Sequence, residues 1–239
     1  MKTASIFTIC ILLTFTLKAS DMIDSLKSVL KQKDISKAIE LIQTNPEILE
    51  TSDENGSSGF MLIAYSGLQS AFEEAIALKK SFSFHEAIVS GQIAVVREYI
   101  FSDKSIVNSH SSDGFSPLSL AAFFDQTEIA ILLLKNTADP NLQATNPSKV
   151  NALHSAVAKE NVDLCQKLID FGVNVNATQM QSVTALHSAA HRGNLELVKL
   201  LVENGADTEL KMENGDTALN IAERENKTEV AEYLKKIKK

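Results

Sequence analysis

Cysteine is nearly missing from these 239 residues, and its scarcity excludes a disulfide framework. Of the two present, Cys10 lies in the N-terminal apolar run and Cys165 stands alone in NVDLCQKLIDFG. If the N-terminal segment is removed, no intramolecular disulfide can form, and a packed core must hold the fold. A chain of about 220 residues with 44% hydrophobic content is long enough to build one. Cys165 falls on the apolar face of its helical stretch, which reads as a buried structural thiol rather than a nucleophile.

Long hydrophobic runs are also lacking. The one at the start, Ile6 to Leu17, spans twelve positions, too few for a membrane helix of about 20 residues. It follows Met1-Lys2 and ends in LKAS, so residues 1–19 are expected to form a secretory signal peptide cleaved after Ala19 or Ser20. A buried N-terminal helix is the alternative. Lipidation of Cys10 is disfavoured, because the preceding FTI lacks small residues.

Positive charge is scarce as well, with 23 basic against 30 acidic residues and a formal net charge of −7, which becomes −9 on loss of Lys2 and Lys18. Such a chain repels phosphates and anionic lipids, which argues against nucleic acid or membrane surfaces as partners. The C-terminal KKIKK reads as a solvated helix end. No GxGxxG or GxxxxGK phosphate loop and no nucleophile elbow occurs, so neither a cofactor nor a catalytic set is expected.

What the sequence does contain is repetition. The apolar residue opening each helix pair recurs at Leu26, Phe60, Phe84, Leu118, Leu153, Leu186 and Leu219, with spacings of 34, 24, 34, 35, 33 and 33. Three positions later come Val29, Ile63, Ala87, Ala121, Ala156, Ala189 and Ala222, small in the last five, where two helices must approach closely. Twelve positions later runs Ala38, Phe72, Val96, Ala130, Cys165, Val198 and Ala231. Each unit therefore reads as a short helix, a tight turn near a residue such as Gly67, Gly91 or Gly193, and a longer amphipathic helix such as LELVKLLVENG.

TALHSAA at 184, NALHSAV at 151, SPLSLAA at 116 and TALNIAE at 217, with GADTE at 205, GVNVN at 172 and TADPN at 137, resemble the ankyrin repeat family's TPLHxA opening and GADxN close. The resemblance is strong over residues 113–234 and weaker over 22–112. It implies an all-α ankyrin-repeat solenoid of about seven helix-turn-helix units with short β-hairpin fingers, forming a single domain over residues 20–239. Two departures stand out. The unit opening at Phe60 is about ten residues short, leaving no room for a finger before Phe84. QATNPSK adds two residues to the finger between Leu118 and Leu153.

His187 and His191 in TALHSAAHRGN stand four residues apart, a spacing at which one helix face could offer both to a metal. The family pattern gives them separate jobs. His187, like His154 and less closely His85, bonds back to its helix cap and to the neighbouring turn, whereas His191 ends the first helix beside Arg192. Without a glutamate between them or a Cys/His cluster elsewhere, no metal is expected.

The resemblance further implies a concave binding face made of finger tips and first-helix ends. The tips supply Glu54, Asn55, Asp113, Phe115, Ser148, Lys149, Met180, Gln181, Glu213 and Asn214, and the helix ends Tyr65, Val89, Phe123, Phe124, Lys159, His191, Arg192 and Arg224. From these, Tyr65, Asp113, Phe115, Phe123, Phe124, Lys159, Met180, Gln181, His191, Arg192, Glu213 and Arg224 form the candidate partner site. Phe123 and Phe124 are the sharpest signal: they read either as exposed anchors or as packing residues that fill a gap between units.

The expectation is thus a monomeric, non-catalytic protein-binding module, exported by a bacterium into the periplasm or beyond the cell. Two alternatives stand beside it: an immunity or inhibitor protein masking a toxin or enzyme, and a metal-dependent enzyme using HSAAH.

Overall fold

The structure, a computed structural model, describes residues 19–237; the expected signal segment therefore lies almost wholly outside the described residues. Those described fall into two compact units, one of residues 19–54 with Ser58–Leu78, the other of Asn55–Ser57 with residues 79–237.

The first unit holds α1 (Ala19–Lys31), α2 (Ile35–Thr44), α3 (Gly59–Ser66) and α4 (Gln69–Leu78). Asp34 starts α2 and Ser58 starts α3, each side chain accepting a backbone N–H three residues on, the bond that satisfies a donor left over at a helix start. Leu26, Ala38, Ile42, Phe60 and Ile63 are fully buried between the two pairs. Lys27 closes the segment before α3 by pairing with Asp53 and Glu54, both at 2.9 Å.

The second unit contains five further helix pairs: α5 (Phe84–Val89) with α6 (Ile93–Ser102), α7 (Pro117–Phe123) with α8 (Thr127–Lys135), α9 (Ala152–Ala158) with α10 (Val162–Asp170), α11 (Ala185–Arg192) with α12 (Leu195–Glu203), and α13 (Ala218–Arg224) with α14 (Thr228–Ile237). Every expected opening residue falls inside a first helix. The alanines at 121, 156, 189 and 222 are fully buried, because only a methyl group fits where successive first helices pack together. On the second helices one stripe turns inward, for example Leu197, Val198 and Leu201 on α12. Burying each such leucine or valine contributes about 1.5–3 kcal/mol, which favours the stacking of successive pairs. Cys165 belongs to this stripe, and burial pushes its thiol up to about 12.

The fingers depart from expectation in one respect. Among the described residues they carry no strand ladder, only the isolated bridges Ser52 to Ser58 and Thr178 to Thr184. The physical reason is length. Residues 111–115, 179–183 and 212–216 each close on one backbone bond, from the N–H of Ser111, Gln179 and Met212 to the carbonyl four residues on, at 2.9 Å. The finger containing QATNPSK closes between Ala144 and Val150, two residues longer, as the sequence indicates. Only residues 79–83 separate α4 from α5, so no finger forms there.

Within the second unit an asparagine ladder fixes one helix pair against the next. Asn108 donates from Nδ2 to the Thr137 carbonyl at 3.4 Å and accepts at Oδ1 from the Asp139 N–H at 2.8 Å. Asn141 repeats this with Gly172 (3.3 Å) and Asn174 (2.7 Å), and Asn176 with Gly205 (3.0 Å) and Asp207 (2.8 Å).

Candidate functional site

In the second unit the finger tips are joined by backbone bonds. The Thr145 N–H donates to the Gly114 carbonyl at 2.9 Å, the Met180 N–H to Ser148 at 2.9 Å, and the Glu213 N–H to Gln181 at 3.1 Å. Gly114 is required at the first joint. Its φ is +88°, and a Cβ there would lie 2.6 Å from Thr145 Oγ1. The tips are thereby held as one row rather than as separate loops.

On this row Asp113 and Phe115 are half-buried. The Asp113 carboxylate takes the Ser111 hydroxyl and its carbonyl takes Asn146 Nδ2 at 2.8 Å, so it builds the turn as much as it faces outward. Met180 is 55% exposed, and Gln181 and Glu213 are exposed beside it. Gln181 adopts φ 63°, which turns the backbone so that its carbonyl reaches Glu213.

The ends of α7, α9, α11 and α13 form a second row. Phe123 is 43% exposed, whereas Phe124, the capping residue of α7, is half-buried; their rings meet edge to face at 5.3 Å. The Lys159 ammonium lies 4.9 Å from the centre of the Phe123 ring, close enough for a cation–π attraction. Farther along, Arg192 reaches Glu160 at 3.5 Å, His191 Nδ1 lies 3.8 Å from Glu225, and Arg224 pairs with Asp216. The Arg224 guanidinium holds the Asp216 carboxyl below the usual carboxylate range. Phe123, Lys159, His191, Arg192 and Arg224 thus share one row, apolar at its start and alternately charged toward its end. Val89, by contrast, is buried at 1%, because it faces the core at the end of α5. Tyr65 lies in the first unit, half-buried near the end of α3.

His187 and His191 separate as the sequence suggests. The Thr184 N–H donates to His187 Nδ1 at 3.1 Å, so Nε2 carries the ring proton and donates it to the Leu210 carbonyl at 3.1 Å. His154 does the same, taking the Asn151 N–H at 3.3 Å and donating to Ala177 at 3.1 Å. Burial pushes the His154 imidazolium down to about 4 and lowers His187 as well. Both ring nitrogens of His187 are in use, which leaves His191 without a second imidazole for a shared metal. Among the described residues no group of three or more His, Cys, Asp or Glu could hold a metal ion, and no helix is long and apolar enough to cross a membrane.

Three features were not anticipated from the sequence. Lys79 is buried and pairs with Glu86 at 3.3 Å. The asparagine ladder is the second. Phe101 projects from α6 at 92% exposure, and the stripe of Val96 and Ile100 one helical turn apart was the signal that Phe101 falls off the inward face.

Residues 84–179 and 153–239 match the family described as ankyrin repeats in three copies. No curated protein matches the sequence.

Proposed function

Since this chain belongs to the ankyrin repeat family and is accordingly a protein–protein interaction module, we propose that it binds its partner through the row of first-helix ends and finger tips in the second unit. The observation that carries this reading is Phe123. A large aromatic ring stands 43% exposed at the end of α7 with a lysine over its face and charged side chains beyond it, the make-up of an apolar anchor within a polar rim. We place its action in the periplasm or outside the cell, in a bacterium, supported by the character of residues 1–19. The role is that of a non-catalytic scaffold or protector. A second reading, masking of a basic toxin or enzyme, is favoured by the net charge of −7.

Affinity capture from an envelope fraction tests the site. A protein retained by the wild-type chain and lost with Phe123→Ser/Phe124→Ser, at a cost of roughly 2 kcal/mol in affinity, carries the proposal. Equal retention by a double variant that melts many degrees lower would move both rings into the core and the binding site to the finger tips. N-terminal sequencing of the chain recovered from cells tests export, and a start at Met1 in a cytosolic pool would overturn it.

A further inference from the structure

Along the row of first-helix ends the cations are not equivalent. Arg192 lies 3.5 Å from Glu160, His191 Nδ1 lies 3.8 Å from Glu225, and Arg224 pairs with Asp216, so each faces a carboxylate of this same chain. Lys159, the capping residue of α9, is exposed and meets no carboxylate among the described residues. Its ammonium lies instead 4.9 Å from the centre of the Phe123 ring. An ammonium carries three N–H donors, and a ring face neutralises none of its charge. Phe124 packs edge to face against Phe123 at 5.3 Å, which holds the ring and presents it together with the ammonium as one feature.

On the reading that the partner binds along this row, we infer that Phe123 and Lys159 together recognise an acidic side chain that stands beside a large apolar one in a segment of the partner. The carboxylate accepts from Lys159 Nζ, and the apolar neighbour packs on the part of Phe123 that remains exposed, 43% of the residue. Charge complementarity selects this place over the rest of the row. Arg192 and Arg224 take a new carboxylate only by releasing the one each already holds, whereas Lys159 has none to release. An exposed ion pair alone contributes little. Apolar contact on Phe123 removes water from the same spot and strengthens the attraction, so the acid and its apolar neighbour act together. Net charge points the other way. At −7 the chain as a whole attracts basic segments at long range, and only a local feature selects an acid.

The immobilised full chain serves as bait for a library of random peptides displayed on phage as internal segments of a coat protein, so that no terminal carboxylate takes part. The enriched sequences should carry Asp or Glu next to Phe, Tyr, Trp or Leu. A synthetic peptide of the enriched sequence, both ends capped, should bind Lys159→Glu about tenfold or more weakly than wild type, because that change sets like charges opposite one another. Added salt should weaken its binding to wild type more steeply than its binding to Lys159→Gln. Selection repeated on Lys159→Glu should enrich Lys or Arg where the wild-type chain enriched the acid. Lys159 is exposed, so both variants should keep the wild-type circular dichroism spectrum. Peptides lost with Phe123→Ser but indifferent to Lys159→Glu overturn the acidic motif and leave the binding row standing. Peptides indifferent to both changes overturn the motif and the row together. Enrichment of basic sequences on the wild-type chain, or of no sequence, overturns the motif as well.

Discussion

At the start of α5 two side chains divide a task that one histidine performs at the starts of α9 and α11. Glu86 accepts the Ser83 N–H at 2.9 Å and thereby closes the cap, while His85, one residue earlier, bonds the Ser109 carbonyl at 3.0 Å in the turn ahead. In α9 and α11 a single neutral imidazole does both, with Nδ1 toward the cap and Nε2 toward Ala177 or Leu210. The price of the divided arrangement is a buried carboxylate, which Lys79 compensates. A neutral ring with one donor and one acceptor fits a dry interface without a counter-charge, and an ionised carboxylate does not.

Lys79→Ala should break this comparison most sharply. Removing one member of a buried ion pair typically costs 3–5 kcal/mol, so unfolding in urea should show a loss of about 4 kcal/mol. The double variant Lys79→Met/Glu86→Gln should recover most of it; a single variant within about 1 kcal/mol of wild type would show that the pair is not buried in solution.

The histidine side of the comparison is tested by pH. His154 binds its proton near 4 in the folded chain against 6.5 unfolded. As pH falls the unfolded chain is protonated first, so this contribution is whole above about 6.5 and is lost as pH drops toward 4. Over that window the contribution is on the order of 3 kcal/mol. Replacing His154 with Gln should flatten the dependence over that window, and an unaltered slope would assign it elsewhere.

His187→Ala should cost about 2 kcal/mol, because the Thr184 N–H and the Leu210 carbonyl both lose a partner. His191→Ala should leave the thermal midpoint nearly unchanged, its ring being exposed. Equal losses would contradict the separation of the two rings. One further substitution should give a gain. Asn151 is fully buried, and its Nδ2 has no hydrogen-bond partner among the described residues, whereas α11 and α13 use threonine at the same place. Asn151→Thr should therefore stabilise by about 1 kcal/mol in thermal unfolding.

The helix openings, the buried alanines and the cap role of His187 were legible because each follows from local chemistry at a fixed spacing. The extra finger length after Leu142 was legible for the same reason. Lys79 was not: in LKKSFSF it reads as one more solvated charge, and its burial depends on where Glu86 lies after folding. Nor could spacing divide Phe123 from Phe124, since adjacent residues at a helix end differ only in where the chain turns. Val89 failed as a surface residue for a related reason: α5 is six residues long, and nearly all of it is enclosed.

The asparagine ladder gives the chain something like a reading frame. Asn108, Asn141 and Asn176 are 33 and 35 residues apart, yet each makes the same two bonds. The additional residues fall in the finger closed by Ala144 and Val150, where they extend the loop without displacing the next asparagine from its partners. Two residues added at a finger tip therefore leave the ladder in frame. An insertion between a helix end and its asparagine would shift both bonds together and leave everything after it out of phase.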